Sequence, residues 1–303
     1  MISELAYFCK RIVGADRAGR SLIVLPDDTF IVSFPRSGNT WTRFLVANLV
    51  HSNESITFAN IDRLIPDIHN RSKRYLRSIP RPRILKSHEY FDPRYKRVIY
   101  IVRDPRDVVV SSYYFHLKQR QIEDAYPIQR YVNEFIAGSV WTDFASWGQN
   151  VSSWLATRQG RIQPLGARSA ENITGMSAPR QNPDDFLLLR YEDMVEDPHK
   201  ELSKIATFLA IPSTQERVDQ AIQSSSADQM RKLEKAEAHK WLLTKSTRKD
   251  IPFVRKAAQG GWKDTLSPTS VADIESAWSS IMRELGYELH EKSFIETGQI
   301  ASS

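Results

Sequence analysis

The sequence predicts an α/β domain, and three observations carry that expectation. Phe30-Ile31-Val32-Ser33-Phe34 is a β-prone stretch that runs into Pro35-Arg36-Ser37-Gly38-Asn39-Thr40, after which apolar positions fall at Trp41, Phe44, Leu45 and Leu49. That is the order strand, tight turn, helix. Arg97-Val98-Ile99-Tyr100-Ile101-Val102-Arg103 is almost continuously apolar, as a strand covered on both faces must be. The chain's 303 residues, 41% hydrophobic and 26% charged, contain no Gly/Ser or Pro-rich linker and suit one domain over 1–303 with a core from 28 to 287.

In chain order, residues 1–29 read as a short helix and a polar lead-in ending in Pro26-Asp27-Asp28. The opening turn then offers a phosphate cradle. Gly38 admits backbone angles closed to other residues, and the free N–H groups of the helix N-terminus face an anion with Arg36 beside them. Compared with the nucleotide-binding loop G-x-x-x-x-G-K-[ST], Ser33 replaces the first Gly and Asn39 replaces the Lys that reaches the β- and γ-phosphates. The loop therefore reads as a phosphate holder with no commitment to a triphosphate.

Residues 51–82 are polar and basic and read as irregular with short helices. Arg83-Ile84-Leu85-Lys86-Ser87-His88 is a second short strand, and alternation puts Lys86 and His88 on one side of its carboxyl end. Ligands in open α/β sheets are handled at the carboxyl ends of strands. After the strand at 97–103, Asp104 and Pro105 are the N-cap and first residue of a helix through Val108, Val109 and Tyr113. Ser111 falls on the face of Asp104. Arg103 at the strand end makes this a second anion site.

A helix is predicted from about Thr142 to Thr157, with Phe144, Trp147, Val151 and Trp154 inward, and a loop over 159–185. Phe186-Leu187-Leu188-Leu189 is a further buried strand that opens into Arg190-Tyr191-Glu192-Asp193. Asp197-Pro198 caps a helix with Leu202, Ile205, Ala206 and Leu209 on one face. Helices follow near Gln215–Gln223, ending in Ser224-Ser225-Ser226, and around Met230–Trp241. The stretch 251–263 lacks a helical period and combines Arg255-Lys256 with Gly260, Gly261 and Trp262, the make-up of a loop that closes over an anion. Ser267-Pro268 caps the last helix, and Gly286 ends it.

The net charge of +6 and a pI near 9.3 suit an anionic ligand, yet the basic residues are spread along the chain, which argues against nucleic acid. Cys9 is the only cysteine, so no internal disulfide forms, and a reducing, cytoplasmic setting is expected. Residues 1–13 are too charged for a signal segment, and no run of 18 apolar residues exists to span a membrane. The expectation is a soluble protein without a membrane partner. Of the seven histidines only His88 has a chemical context; His51, His69, His116, His199, His239 and His290 are assigned to surface or packing.

Taken together the motifs resemble the sulfotransferases that use 3′-phosphoadenosine 5′-phosphosulfate (PAPS). Pro35-Arg36-Ser37-Gly38-Asn39-Thr40-Trp41 is similar to the family's 5′-phosphosulfate loop, and Arg103-Asp104-Pro105-Arg106-Asp107-Val108 with Ser111 to its 3′-phosphate element. Lys86-Ser87-His88 matches its Lys-x-His, and Tyr191-Glu192-Asp193-Met194 and Arg255-Lys256 with the later Gly-Trp-Lys complete the set from Phe30 to Lys263.

The resemblance implies a P-loop-like sulfotransferase fold, a central parallel sheet flanked by helices. It further implies in-line sulfuryl transfer with adenosine 3′,5′-bisphosphate leaving, and no metal. His88 becomes the base, with Lys86 and Arg36 about the transferring group. Ser37, Gly38, Asn39 and Thr40 hold the 5′-phosphate, while Arg103, Ser111, Arg255 and Lys256 hold the 3′-phosphate. Trp41 and Tyr191 flank the adenine, and Ser225 is an adenine or ribose contact.

Three departures limit the likeness: Arg36 stands for the commoner Lys, Ala257 for a Gly after Arg-Lys, and Ala227 for an adenine-stacking Phe. The dimer motif of some members is unmatched, so the sequence does not give an oligomeric state. Arg106 and Asp107 read as a salt-bridged helix start and Trp262 as a packing anchor. The rival readings are a P-loop kinase, opposed by the missing Lys, and a non-catalytic bisphosphate-binding module, opposed by the intact Lys86 and His88. The acceptor is expected to be a small molecule such as a secondary metabolite, with a hydroxyl or amino group, held by loops within 60–82, 116–160 and 240–254. Phe91, Tyr113, Tyr114, Phe115, Trp141 and Trp147 are the candidate aromatic walls.

Overall fold

A computed structural model describes residues 17–158 and 185–290. Cys9, the N-terminal lead-in before residue 17 and nearly all of the predicted loop 159–185 lie outside the described residues. The four predicted strands form at β1 (Thr29–Ser33), β2 (Ile84–Ser87), β3 (Arg97–Val102) and β4 (Phe186–Arg190). They make one parallel sheet in the order β2-β1-β3-β4.

Alternation along the strands sends side chains to two cores. Phe30, Val32, Val98, Tyr100 and Val102 join one apolar cluster, whereas Ile31, Ile99, Ile101 and Leu189 join the other. Helices cover both faces, which is why these strands read as continuous apolar runs. The first face packs α4 (Pro105–Lys118), α5 (Ile128–Ile136), α6 (Trp147–Arg158) and α11 (Pro268–Glu284). The second packs α1 (Asn39–Val50), α7 (Tyr191–Glu196), α8 (Pro198–Phe208), α9 (Gln215–Ser224) and α10 (Ala227–Glu237). The polar stretch 51–82 contains only the short α2 (Ile61–Leu64) and α3 (Lys73–Arg77).

The predicted caps form. Asp104 accepts from Arg106 N, Asp197 from Lys200 N and Ser267 from Ser270 N, and Gly286 turns the chain out of α11 with φ of 76°. The helix expected from Thr142 is corrected by the structure: Thr142–Phe144 is a single 3₁₀ turn, and the chain breaks at Ala145, whose φ is 63°, before α6 begins. Phe144 is thereby released from the helix.

Candidate active site

Because all four strands are parallel, their carboxyl ends share one edge of the sheet, and each leads into a residue or loop of the expected site. Ser33 leads into the 34–38 loop, Ser87 into His88, Val102 into Arg103 and Arg190 into Tyr191. A cavity of about 1010 Å³ opens along this edge. Arg36, Gly38, Asn39, Thr40, Trp41 and Lys86 line it, as do His88, Arg103, Ser111, Tyr191, Arg255 and Lys256.

The opening loop is held in a conformation that suits an anion. Gly38 is the N-cap of α1 with φ of 99°, and a Cβ there would lie 2.5 Å from the Tyr191 ring. Ser37 is fully buried, and among the described residues its Oγ has no hydrogen-bond partner. Arg36, at φ of 68°, turns back over the loop. Its Nε donates to Ser111 Oγ at 3.1 Å, and its guanidinium lies between the Phe115 and Phe253 rings, 4.7 and 4.6 Å from their centroids. Burial, then the charges of Arg103 and Arg255, bring Arg36 down to about 10, so it remains a cation at neutral pH.

Asn39 does something the motif does not announce. Its Nδ2 is within hydrogen-bond distance of Ile31 O, Ser33 Oγ and Ser87 O, at 3.2, 3.3 and 3.4 Å, so the side chain braces β1 against β2. That amide brace gives Asn39 a structural part where the nucleotide-binding loop has the Lys that reaches the phosphates.

Arg103 donates to Arg36 O at 3.4 Å and to Ala258 O at 3.0 Å, stands 3.9 Å from Asp107 and covers the Tyr191 ring at 4.1 Å. Its buried Nε is unpartnered among the described residues. The closing loop is fastened from both sides. Glu234 accepts from Phe253 N and Val254 N at 2.6 and 2.9 Å, Arg231 donates to the carbonyls of Val254, Arg255 and Lys256, and Asp107 accepts from Gly260 N and Trp262 N at 2.8 and 3.1 Å. Ala257 adopts φ of 51°, which explains why a Gly would fit that position more easily. Arg255 rests over Tyr114 at 4.4 Å, and Lys256 pairs with the exposed Asp264 at 2.8 Å.

At the other end of the cavity, His88 Nδ1 is 2.7 Å from Ser33 O. A carbonyl only accepts, so Nδ1 carries the proton and Nε2 is left bare. Burial, then the charge of Lys86, holds His88 well below the ordinary imidazole value. Lys86 ends on Asp67, Nζ to Oδ2 2.5 Å. His69 accepts from His88 N at 3.0 Å, its ring 6.1 Å from that of His88, with Phe144 edge-on to both. Burial lowers His69 to about 4.

Two sequence-based assignments change. Ser225 is fully buried and absent from the cavity wall; its carbonyl accepts from Trp41 Nε1 at 3.0 Å and its Oγ lies 3.1 Å from Asn48 Nδ2. It orients Trp41 from behind, and Ser226 lines the cavity instead. Trp41 and Tyr191 do not form a slot for a base, because their rings meet edge to face at 5.7 Å. Tyr191 packs beneath Gly38 and Arg103. Of the candidate aromatic walls, Phe115 and Trp141 line the cavity, and Trp147 is core, donating to Arg103 O. Phe144 lines it in place of Trp147. His69, assigned to surface or packing, also lines it, as does Asp67, which the sequence left unmarked.

A family model described as a sulfotransferase domain matches residues 26–162 and 168–286. The 3-beta-hydroxysteroid sulfotransferase of Cavia porcellus is 26% identical over 273 residues, covering 86% of this chain and 85% of that protein. Sulfotransferase 1E1 of Bos taurus is 28% identical over 254 residues, covering 79% and 78%. Among solved structures, mouse sulfotransferase SULT7A1 complexed with PAP superposes with a TM-score of 0.63 at 21% identity, covering 89% of each chain. Retinol dehydratase in complex with retinol and PAP gives 0.64 at 16% identity, covering 91% and 86%. These two establish the likeness of fold.

Proposed function

The chain belongs to the sulfotransferase family and is an enzyme that transfers a sulfuryl group from PAPS; on that premise we propose that the acceptor is a small molecule, that it presents a hydroxyl or amino group, and that the cavity residues named above carry the reaction. The observation that carries this reading is the gathering of Lys86 and His88 with two cationic anion loops around one cavity of about 1010 Å³.

The residues fit the donor. The buried Ser37 Oγ and Arg103 Nε, unpartnered among the described residues, are donors that an anion would satisfy, and the α1 N-terminus adds backbone N–H groups. Ser37, Gly38 and Thr40 would hold the 5′-phosphate with the backbone of Asn39. Arg103, Ser111, Arg255 and Lys256 would hold the 3′-phosphate, each charge-assisted bond contributing about 1.5–3 kcal/mol. Trp41, its indole fixed by Ser225, would offer a face to the adenine. The bound donor supplies an activated sulfuryl group and an anionic leaving group. His88, neutral and with Nε2 bare, takes the acceptor's proton, and Lys86 and Arg36 offset charge on the leaving side.

Three relatives are named as acting on small molecules: 3-beta-hydroxysteroid sulfotransferase, an amine sulfotransferase of Oryctolagus cuniculus and retinol dehydratase with retinol bound. They support a small acceptor without choosing one. We further take residues 28–287 as the core of one domain and the cytoplasm as its setting, the latter on its single cysteine; among the described residues no helix is long and apolar enough to cross a membrane.

The test has two arms. Adenosine 3′,5′-bisphosphate without magnesium should raise the melting temperature, and a response only to magnesium-ATP would overturn the donor assignment. Labelled PAPS with a panel of phenols, steroids, amino sugars and secondary metabolites should label at least one of them. Labelling of a protein or polysaccharide alone would overturn the small acceptor.

A further inference from the structure

A segment of the irregular stretch 51–82 lies against β2 and repeats its chemistry. Lys86 N donates to Pro66 O at 2.9 Å and Ile68 N to Lys86 O at 3.1 Å, a parallel bridge that sets Asp67 opposite Lys86. Two residues on, His88 N donates to His69 Nε2. Asp67-x-His69 therefore runs beside Lys86-x-His88 in register, at the cavity wall.

The carboxylate is fixed before it meets Lys86. Its Oδ1 accepts from His69 N at 2.9 Å and its Oδ2 from Asn70 Nδ2 at 2.7 Å, and Asp67 is 2% exposed. Lys86 brings the third donor, at 2.5 Å. A buried carboxylate with three donors is a rigid anchor, and Lys86 is the flexible partner.

We propose that Asp67 is a positioning residue for sulfuryl transfer, acting on Lys86 from the segment laid beside β2. The proposal rests on the reading of Lys86 given above. Asp67 touches neither reacting group. It keeps the Lys86 ammonium at one place on the wall and supplies the counter-charge a buried cation needs. Burial lowers Lys86 while Asp67 opposes that fall. The other charged or titratable groups facing Lys86 are Arg43 of α1, Asp62 of α2, His69 of the flanking segment and His88 just beyond its own strand. None of these is its ion-pair partner; Arg43 pairs with Asp62 at 2.6 Å.

The test uses the full chain. Asp67→Asn retains an acceptor for His69 N but removes the charge. Its kcat should fall about 10- to 100-fold, the scale of a group misplaced by about 1 Å. The alkaline limb of kcat against pH should move to lower pH, because Lys86 without its counter-charge loses its proton sooner. The same shift should appear with neither donor nor acceptor added, in the pH at which an amine-directed acylating reagent half-labels Lys86, read by mass spectrometry.

Asp67→Glu keeps the charge but displaces it by one methylene: the alkaline limb should stay while kcat falls. In Lys86→Met, adding Asp67→Asn should cost nothing further. Wild-type kcat and an unshifted limb in Asp67→Asn, with Lys86→Met inactive, would overturn the role of Asp67 alone. Full activity in Lys86→Met would overturn the reading of Lys86 on which it rests. Multiplying losses in the double variant would also overturn the proposal, since Asp67 would then act other than through Lys86.

Discussion

Replacing Gly38 by Ala tests whether the opening loop's shape, beyond its residue types, makes the anion site. The residue sits at φ of 99°, where a side chain costs about 1–3 kcal/mol of backbone strain. The new Cβ would stand 2.5 Å from Tyr191 Cδ2 and 2.9 Å from Cε2. Tyr191 cannot step aside cheaply: it is 5% exposed, lies under the Arg103 guanidinium and meets Trp41 edge-on. Forcing that ring to shift adds about 1–3 kcal/mol, so the combined cost is about 2–6 kcal/mol. At about 1.5 °C per kcal/mol for a chain of this size, the melting temperature should drop by at least about 3 °C. Because Arg103 moves with Tyr191, calorimetry should show adenosine 3′,5′-bisphosphate binding weakened by about tenfold or more, a loss of ~1.4 kcal/mol. Gly260→Ala is the control: its φ is 73°, but an added Cβ meets nothing within 4 Å, so only the strain remains. Equal losses in the two variants, or unchanged affinity in Gly38→Ala, would refute the argument from Tyr191.

The other predictions concern the base, the closing loop and the 3′-phosphate grip. His88→Ala should keep bisphosphate binding and lose about 10²- to 10⁴-fold in kcat; an undiminished rate would remove His88 as the base. Since burial and Lys86 depress His88 in the folded chain, it stays neutral through pH 6.5, and the acid limb of kcat should lie well below that value; a limb at 6.5 or above contradicts the assignment. The sign also fixes stability: below the unfolded imidazole's value the unfolded chain binds more protons, so unfolding becomes easier as pH falls, an effect His88→Ala should reduce in denaturant titrations. Asp107→Ala strips the acceptor from Gly260 N and Trp262 N and should raise proteolytic nicking within 255–262 while weakening bisphosphate binding; a loop as resistant as before would show that Asp107 does not fasten it. Arg255→Ala should weaken bisphosphate binding, and an unchanged dissociation constant would take it off the 3′-phosphate.

The sheet was legible because its strands are buried on both faces, so Val98 to Val102 needed no partner strand to be recognised, and the caps at Asp104, Asp197 and Ser267 were legible because capping is local. Lys86 and Arg103 were legible from their places at the ends of strands, Arg36 from the tight turn it shares with Gly38, and Arg255-Lys256 from an aperiodic stretch that also holds Gly260 and Gly261. What stayed hidden is contact across sequence. Asp107 reads as a helix-start carboxylate until a loop 153 residues later turns two N–H groups toward it. Asp67 sits in an irregular stretch with no period, and only the bridge to β2 gives it Lys86. The side-chain direction of Ser225 was not legible: in a run of three serines where α9 ends, sequence does not say which hydroxyl faces Asn48 and which residue lines the cavity.

Arg36 and Lys86, the two cations proposed to lie about the transferring group, are held in different ways, and the difference bears on what each is for. Among the described residues Arg36 has no carboxylate in ion-pair contact; a hydroxyl, a carbonyl at 3.5 Å and two ring faces hold it, with Glu234 acting only from further off. Cation–π contacts of this kind contribute about 0.5–2 kcal/mol without cancelling the charge. Arg255 rests on the Tyr114 ring and, like Arg36, is depressed by burial with Arg103 adding to the fall and Asp107 opposing it. Crowded, uncompensated cations oppose folding, and a polyanion relieves them, so the cost carried by the empty fold reappears as affinity for the donor. Lys86 differs, since its charge is matched one to one by Asp67. Lys256, assigned to the 3′-phosphate, also meets a carboxylate, but Asp264 is exposed and can give way to a ligand. A cation meant only to grip would bind more tightly without a buried, fixed rival such as Asp67 at 2.5 Å. Pairing it lowers grip and gains a fixed position beside His88, which is the arrangement expected of a charge used on the moving sulfuryl group and its leaving oxygen, where placement decides the rate.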